Sequence, residues 1–579
     1  VVGCTRLQEA VVYRRYRSHC NEQVNPKDKK VTSMTLQLPL ERFDHWLDRQ
    51  PDAVWLRQPV NGVWHDFTWR QVDEQARRLA SALLALGCVP GERVALLAKN
   101  CAEWFISDLA IQHAGLVSVP LYPLQAPEQI AYVLEHAGCK VILLGKLDEP
   151  AKLATGIAPH ITRIAMPYPT MPAEHQWHAL LAAHEPLLGA HLQRGEDLLS
   201  ILYTSGTTGQ PKGVMLSAHA MAFSAANATA ELNMTPQDQF FSYLPLSHAA
   251  ERFLVEFNSL YCGAPVAFVE SLETFASDLR QVRPTVFFSV PRLWTRFQQG
   301  VLEKLPAHKL ERLLRIPLLG RLVAHKVRAG LGLDRARVLV SGAAAISTGL
   351  LEWYRRLGMT ICEGYGMTEH FAYGCFNRPG QVRFGTVGRP MPHLEVRIDA
   401  SGEILLRSET LMQGYYREAE KTEETLKDGW LHTGDRGQLD EAGYLRITGR
   451  VKDIFKTSKG KYVAPAPIEG EIAKSHWVEQ VCLMGSNLDQ PLALIELSPA
   501  AHQQPRSLLE QSLSEHLHAV NQRLEAHERV SHFYLVGEAW TVDNGSMTPT
   551  MKIRRNVLEV RYAEAIAAMP GDVVIVWEG

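Results

Sequence analysis

The segment from Glu92 to Leu144 constrains the fold more than any other part of the chain. Arg93–Ala98 (RVALLA) reads as a buried strand, Ala102–Ala114 as a helix and Val117–Pro120 as a short strand. A second helix follows, with Ile130, Val133, Leu134 and Ala137 at i, i+3, i+4 and i+7, and then the strand Val141–Leu144. Strands that alternate with helices in this way pair in parallel, because the intervening helix returns the chain to the same end of the sheet. The same grammar returns at Thr285–Val290 and Arg337–Val340, where RVLVSGAAA runs from a strand into a small-residue turn. The fold class is therefore α/β, a mainly parallel sheet covered by helices.

At 579 residues the chain is too long for one simple core. From Gly402 to Gly449 the pattern changes to short strands with glycine turns: GEILLRS, DGWLHTGD and GYLRITG. That stretch reads as a β-rich subdomain. New strand and helix segments begin after Arg450–Lys452. The expected division is a large domain over 34–450 and a small α+β domain over 451–579. Residues 1–33 are polar and basic and lack a secretory apolar stretch, so they are expected to be a disordered extension.

Charge and cysteine usage exclude several classes. Sixty basic and 62 acidic residues give a net charge of -2, without the basic excess of a nucleic-acid protein. Nine cysteines stand singly with no CxxC pair, which argues against a zinc site and for reduced thiols in the cytoplasm. No apolar run is long enough to span a bilayer. Residues Leu305–Gly332 read as basic amphipathic helices, with Lys309, Arg312, Arg315, Arg321, Lys326 and Arg328 among leucines. The favoured reading is a solvated face beside a buried leucine stripe. The alternative is peripheral contact with anionic lipid at the inner membrane surface. The pattern fixes no oligomeric state.

The strongest chemical signal is ILYTSGTTGQPKGVMLS at Ile201–Ser217. A strand-like start leads into Thr204, Ser205, Gly206, Thr207, Thr208, Gly209, Lys212 and Gly213. Glycines let a backbone approach an anion closely, and hydroxyls and free N–H groups can then surround phosphate oxygens. Lys212 adds a compact positive charge. The spacing is not that of the Gx4GK[ST] phosphate loop.

YTSGTTGQPKG resembles the phosphate loop of the adenylate-forming superfamily, which includes acyl-CoA synthetases, luciferases and peptide-synthetase adenylation domains. Four further segments follow in that family's order. EGYGMTE at Glu363–Glu369 resembles the adenine and magnesium motif, and GWLHTGD at Gly429–Asp435 the ribose motif. GRVKDIFKTSKGKYVAPAPIE at Gly449–Glu469 resembles the hinge and thiol-tunnel segment, and PTMKIRRN at Pro549–Asn556 the segment of the catalytic lysine. The resemblance spans about Leu40 to Tyr562. It implies the adenylate-forming fold, with a large N-terminal domain of helix-covered mixed sheets and a mobile C-terminal domain.

The resemblance also assigns roles, each with a physical reason. Tyr365 offers a ring for adenine, beside Gly342, Ala343 and Gly366, where a nucleotide could approach the backbone. Glu369, with Thr204, is suited to magnesium, and Thr368 to a phosphate oxygen. Asp435, in a tight TGD turn, matches vicinal ribose hydroxyls, with Arg450 alongside. Lys456 would reach the nucleotide or the acyl carboxylate. Gly460 would line the path of the CoA thiol, next to Lys459 where many relatives carry glycine. Lys552 would offset the charge that develops when a carboxylate meets the α-phosphate of ATP.

LPLSHAAERF at Leu244–Phe253 resembles the acyl-site segment of the long-chain branch, and places His248 near the substrate carboxylate. The implied activity is ATP- and magnesium-dependent conversion of a long-chain fatty acid to acyl-AMP, then to acyl-CoA. Transfer to a carrier protein's phosphopantetheine, or action on another acid, is the alternative. A non-catalytic nucleotide-binding relative is the least favoured.

Overall fold

The computed structural model describes residues 36–189, 191–204, 210–548, 552–569 and 573–578. The expected extension at 1–33 lies outside the described residues.

The Glu92–Leu144 alternation forms the middle of an eight-stranded sheet. Val117–Leu121, Arg93–Leu97, Val141–Leu144 and Thr162–Ala165 run side by side and parallel. Leu198–Thr204 joins parallel to Val117–Leu121, and Lys212–Ser217 folds back antiparallel on it. The helix Pro127–Ala137 buries the four residues of its periodic face, starts at a proline and ends on Gly138 at φ 67°. Ala102–His113 is buried on every side between layers. The helix Trp69–Ala85 is opened by a capping box of Thr68 and Gln71, and Trp69 stacks on Trp55 at 4.2 Å.

A second sheet carries Val286–Ser289, Val338–Ser341 and Ile361–Tyr365 in parallel, then Cys375–Phe376 and Arg389–Pro390 in antiparallel. The strands Val54–Val60, Val63–Thr68, Phe240–Ser242 and Val266–Phe268 form a third sheet. The β-rich stretch pairs Glu395–Ile398, Glu403–Arg407, Trp430–Leu439 and Leu445–Arg450. After Lys452 the chain builds a separate four-stranded sheet from Val478–Met484, Leu492–Leu497, Phe533–Leu535 and Ile575–Trp577. Helices Pro465–Ile472 and Arg506–Asn521 pack on it and close a hydrophobic core of their own.

One sequence expectation is corrected in detail. Asp435 does not sit in a tight turn. It lies within the long strand Trp430–Leu439, where Gly434 at φ 70° permits a bulge against Glu403 and Leu405. The basic helices at 305–332 bury a stripe that includes Leu310 and Ala324, while the link between them leaves Ile316 48% and Leu318 73% exposed, and Leu319, which opens the second helix, is 39% exposed.

No helix among the described residues is long and apolar enough to cross a membrane. The seven described cysteines are buried and unpaired.

Candidate active site

A cleft opens at the carboxyl ends of the strands Val338–Ser341 and Ile361–Tyr365. This is where open parallel sheets present backbone to ligands. Its polar end is lined by Gly342, Ala343, Tyr365, Gly366, Thr368 and His248. Its other walls are apolar and include Phe253, Leu254, Phe288, Phe376 and Met391.

Local backbone shapes that polar end. Ala343 adopts φ 67°, a conformation that strains a residue with a side chain, at the turn out of the strand. A Cβ at Gly366 would stand 2.5 Å from the Ala372 carbonyl oxygen, so only glycine fits there.

Asp435 and Arg450 face each other across neighbouring strands. Arg450 Nε donates to Asp435 Oδ1 at 2.8 Å, and the Tyr365 hydroxyl donates to Oδ2 at 2.7 Å. The carboxylate is thus fixed on both oxygens, and Tyr365 is pinned where its ring lines the cleft.

Glu369 occupies a short turn, Thr368–His370, and is buried. The Tyr415 hydroxyl donates to its Oε1 at 2.8 Å. The Tyr415 ring in turn receives the Lys212 ammonium at 4.8 Å from its centre. Lys212 lies opposite Thr204, the last residue of its strand, on the antiparallel pair. Gly213 is needed beside it, because a Cβ there would meet Ile201 Cγ2 at 2.7 Å. Ser205, Gly206, Thr207, Thr208 and Gly209 lie outside the described residues.

Lys552 comes from the C-terminal unit. Its backbone is tied to Thr548: the Thr548 N–H donates to the Lys552 carbonyl at 2.8 Å, and the Lys552 N–H donates to the Thr548 hydroxyl at 3.1 Å. Lys552 keeps an exposed surface, and its ammonium pKa is lowered by partial desolvation where it meets the large domain and by the nearby Arg450 charge, against the opposing pull of Asp435 and Glu369. Four residues distant in sequence therefore share one electrostatic site. His248 belongs to it too: burial and the Lys552 charge bring its pKa down to about 4, so its ring is neutral at pH 7. Its Nδ1 accepts from the Ala250 N–H at 3.1 Å, which leaves the proton on Nε2.

Lys456 and Gly460 are not brought to the cleft lining. They lie in a separate hairpin of Phe455–Lys456 and Tyr462–Val463, where Gly460 takes φ 76°. Lys459 faces Asp489 at 3.8 Å.

Among the described residues no cluster of three His, Cys, Asp or Glu side chains could hold a metal. Magnesium does not need one, since it is commonly held by one or two carboxylates together with substrate phosphates. The single oriented carboxylate of Glu369 fits that requirement.

Sequence reading missed Tyr415 and the support beneath the site. Arg252 is fully buried and reaches Asp108 at 2.6 Å, Glu256 at 2.8 Å and the Ser200 hydroxyl at 2.9 Å. It joins the π-helical turn Arg252–Phe257 to the strand that ends at Thr204. The adjacent Glu-Arg pair in HAAERF was the one available signal, a charged pair in an apolar stretch.

The cleft opens at strand ends, and a second unit presents Lys552 to the Asp435–Arg450 pair beside it. The chain belongs to the AMP-binding enzyme family: that family's profile matches residues 43–416, and the AMP-binding enzyme C-terminal domain matches 452–571. It is similar to the long-chain-fatty-acid–CoA ligase FadD15 of Mycobacterium bovis, at 29% identity over 91% of this chain and 96% of that one. It is also similar to the peroxisomal long chain acyl-CoA synthetase 7 of Arabidopsis thaliana, at 30% identity over 92% and 86%. The anthranilate CoA ligase AuaEII, solved with anthranoyl-AMP, shares the fold with a TM-score of 0.77 at 24% identity, covering 92% of this chain and 98% of that one.

Proposed function

We propose that this enzyme activates a long-chain fatty acid with ATP, releases pyrophosphate and transfers the acyl group from acyl-AMP to CoA. The observation that carries the reading is the meeting of Lys552 with Arg450, Asp435 and Glu369, where Tyr365 joins Asp435 to a cleft whose lining includes Phe253, Leu254, Phe288, Phe376 and Met391. The relatives' names supply the substrate class.

In the first step a carboxylate oxygen of the acid attacks the α-phosphorus. An O–P bond forms, the bond to the bridging β-phosphate oxygen breaks, and pyrophosphate departs with its electron pair. Negative charge converges at that centre, and Lys552 offsets it. Asp435 would accept the ribose hydroxyls, while Tyr365, Gly342, Ala343 and Gly366 would frame the adenine. Thr204 to Gly209 and Lys212 would hold the phosphates, with Thr368 on a phosphate oxygen. Magnesium bound at Glu369 and Thr204 would neutralise the leaving pyrophosphate. His248, neutral and an Nε2 donor, would orient the acid's carboxylate.

In the second step the CoA thiol releases its proton to solvent, its sulfur bonds to the acyl carbon, and the bond from that carbon to the phosphate oxygen breaks, so that AMP leaves with the electron pair. The unit after Lys452 would rotate about Arg450–Lys452, withdraw Lys552 and bring the hairpin of Lys456 and Gly460 to the thiol path.

The enzyme would work in the cytoplasm, at the inner membrane surface where its substrate partitions. Ile316, Leu318, Leu319 and Leu322 are exposed. Seven Lys and Arg stand against one carboxylate, Glu311, between positions 304 and 328. Such a surface suits anionic lipid. Sedimentation with anionic vesicles should be lost in a Leu318→Glu/Leu322→Glu variant; equal sedimentation of both proteins would refute the contact.

Incubation with ATP, magnesium, CoA and a panel of acids tests the activity. The expected products are pyrophosphate, AMP and a long-chain acyl-CoA seen by mass. Acyl-adenylate without thioester would favour a carrier-protein acceptor instead.

A further inference from the structure

The C-terminal unit is held against the large body by few polar ties. Among the described residues two ion pairs cross between them. Lys152–Asp543, at 3.5 Å, is exposed on both sides, and such pairs contribute little. Arg292–Glu479, at 2.9 Å, is different, because the Glu479 side chain is only 14% exposed.

The position of Arg292 calls for an explanation beyond its own helix. It lies in the first turn of Pro291–Lys304, where a cation opposes the helix dipole. It stands four residues beyond Phe288, which lines the cleft. Glu479 lies on Val478–Met484, the first strand of the C-terminal sheet. The next residue, Gln480, donates to Glu496 Oε2 at 2.8 Å and reaches Met547 Sδ at 3.6 Å. Met547 bridges to Ile553, and Thr548 holds the backbone of Lys552. Chain connections at Phe288–Arg292 and Glu479–Gln480, joined by the Arg292–Glu479 pair, therefore link the cleft wall to the turn that presents Lys552.

From this geometry we infer that Arg292 is a positioning residue for adenylation. Its pair with Glu479 latches the C-terminal unit in the orientation that faces Lys552 to the cleft, and the latch must open for thioester formation. The inference rests on the two-step reaction proposed above. Phosphoryl transfer is sensitive to such placement, since a displacement of about 1 Å can cost about a hundredfold in rate.

The test measures the two half-reactions separately: acid-dependent pyrophosphate exchange, and conversion of supplied acyl-adenylate with CoA. Arg292→Glu and Glu479→Arg should each slow exchange by about tenfold and leave the second half-reaction within about twofold of wild type. The charge swap Arg292→Glu/Glu479→Arg should recover most of the exchange rate, a coupling that a merely structural loss would not show. If either single variant melts early, Glu479→Gln replaces it. Unchanged exchange, equal loss of both half-reactions, or a swap no faster than the single variants would overturn the latch. A wild-type enzyme with no acid-dependent exchange would instead overturn the proposed reaction.

Discussion

The Lys552 ammonium, partly desolvated and held near Arg450, gives up its proton at lower pH than a free lysine, whose pKa is about 10.4. The charged form is the useful one, so adenylation should fall as pH rises through that lowered pKa. The pH profile of pyrophosphate exchange at low substrate reports the free enzyme, and its alkaline limb is expected below the usual lysine range. Lys552→Arg should retain partial activity and lose that limb. Glu369 carries a second prediction. Glu369→Gln should raise the magnesium concentration needed for half-maximal exchange, and Tyr415→Phe should do so more mildly, because it only frees the carboxylate to turn. Unchanged magnesium dependence in both would remove Glu369 from the metal site. These residue roles were readable only as a motif resemblance. Nothing in GYGMTE shows that Tyr365 is pinned by Asp435, because that bond joins residues seventy positions apart.

At the scale of elements, the strand Leu198–Thr204 must be held still if Thr204 is to meet phosphates. Arg252 does this from below, between Asp108, Glu256 and Ser200. Arg252→Met would leave two buried carboxylates without their cation and should cost about 3–5 kcal/mol in urea unfolding. Elements were legible where the signal is local. Ile130, Val133, Leu134 and Ala137 show their helix face because one helix and one neighbouring sheet decide it. The bulge at Gly434 was not legible, because it depends on register with Glu403–Arg407, a strand the TGD motif does not contain. The exposed segment Ile316–Leu319 was likewise hidden: in sequence its leucines look the same as those of the buried stripe beside it.

At the scale of the molecule, two cores matter. The elements after Lys452 close their own apolar interior, which the proposed rotation requires. Parallel grammar in the sequence pointed to the α/β class, and the order of the motifs pointed to the family. The sequence could not reveal that Lys552 from the second unit faces Arg450, Asp435, Glu369 and His248 of the first, because that depends on how two bodies dock. Lys552→Ala separates that docking from every other contribution to the site. Acid-dependent pyrophosphate exchange should fall by about a hundredfold or more, while conversion of supplied acyl-adenylate to acyl-CoA stays near the wild-type rate. Equal loss of both half-reactions, or exchange that survives the substitution, would contradict the account.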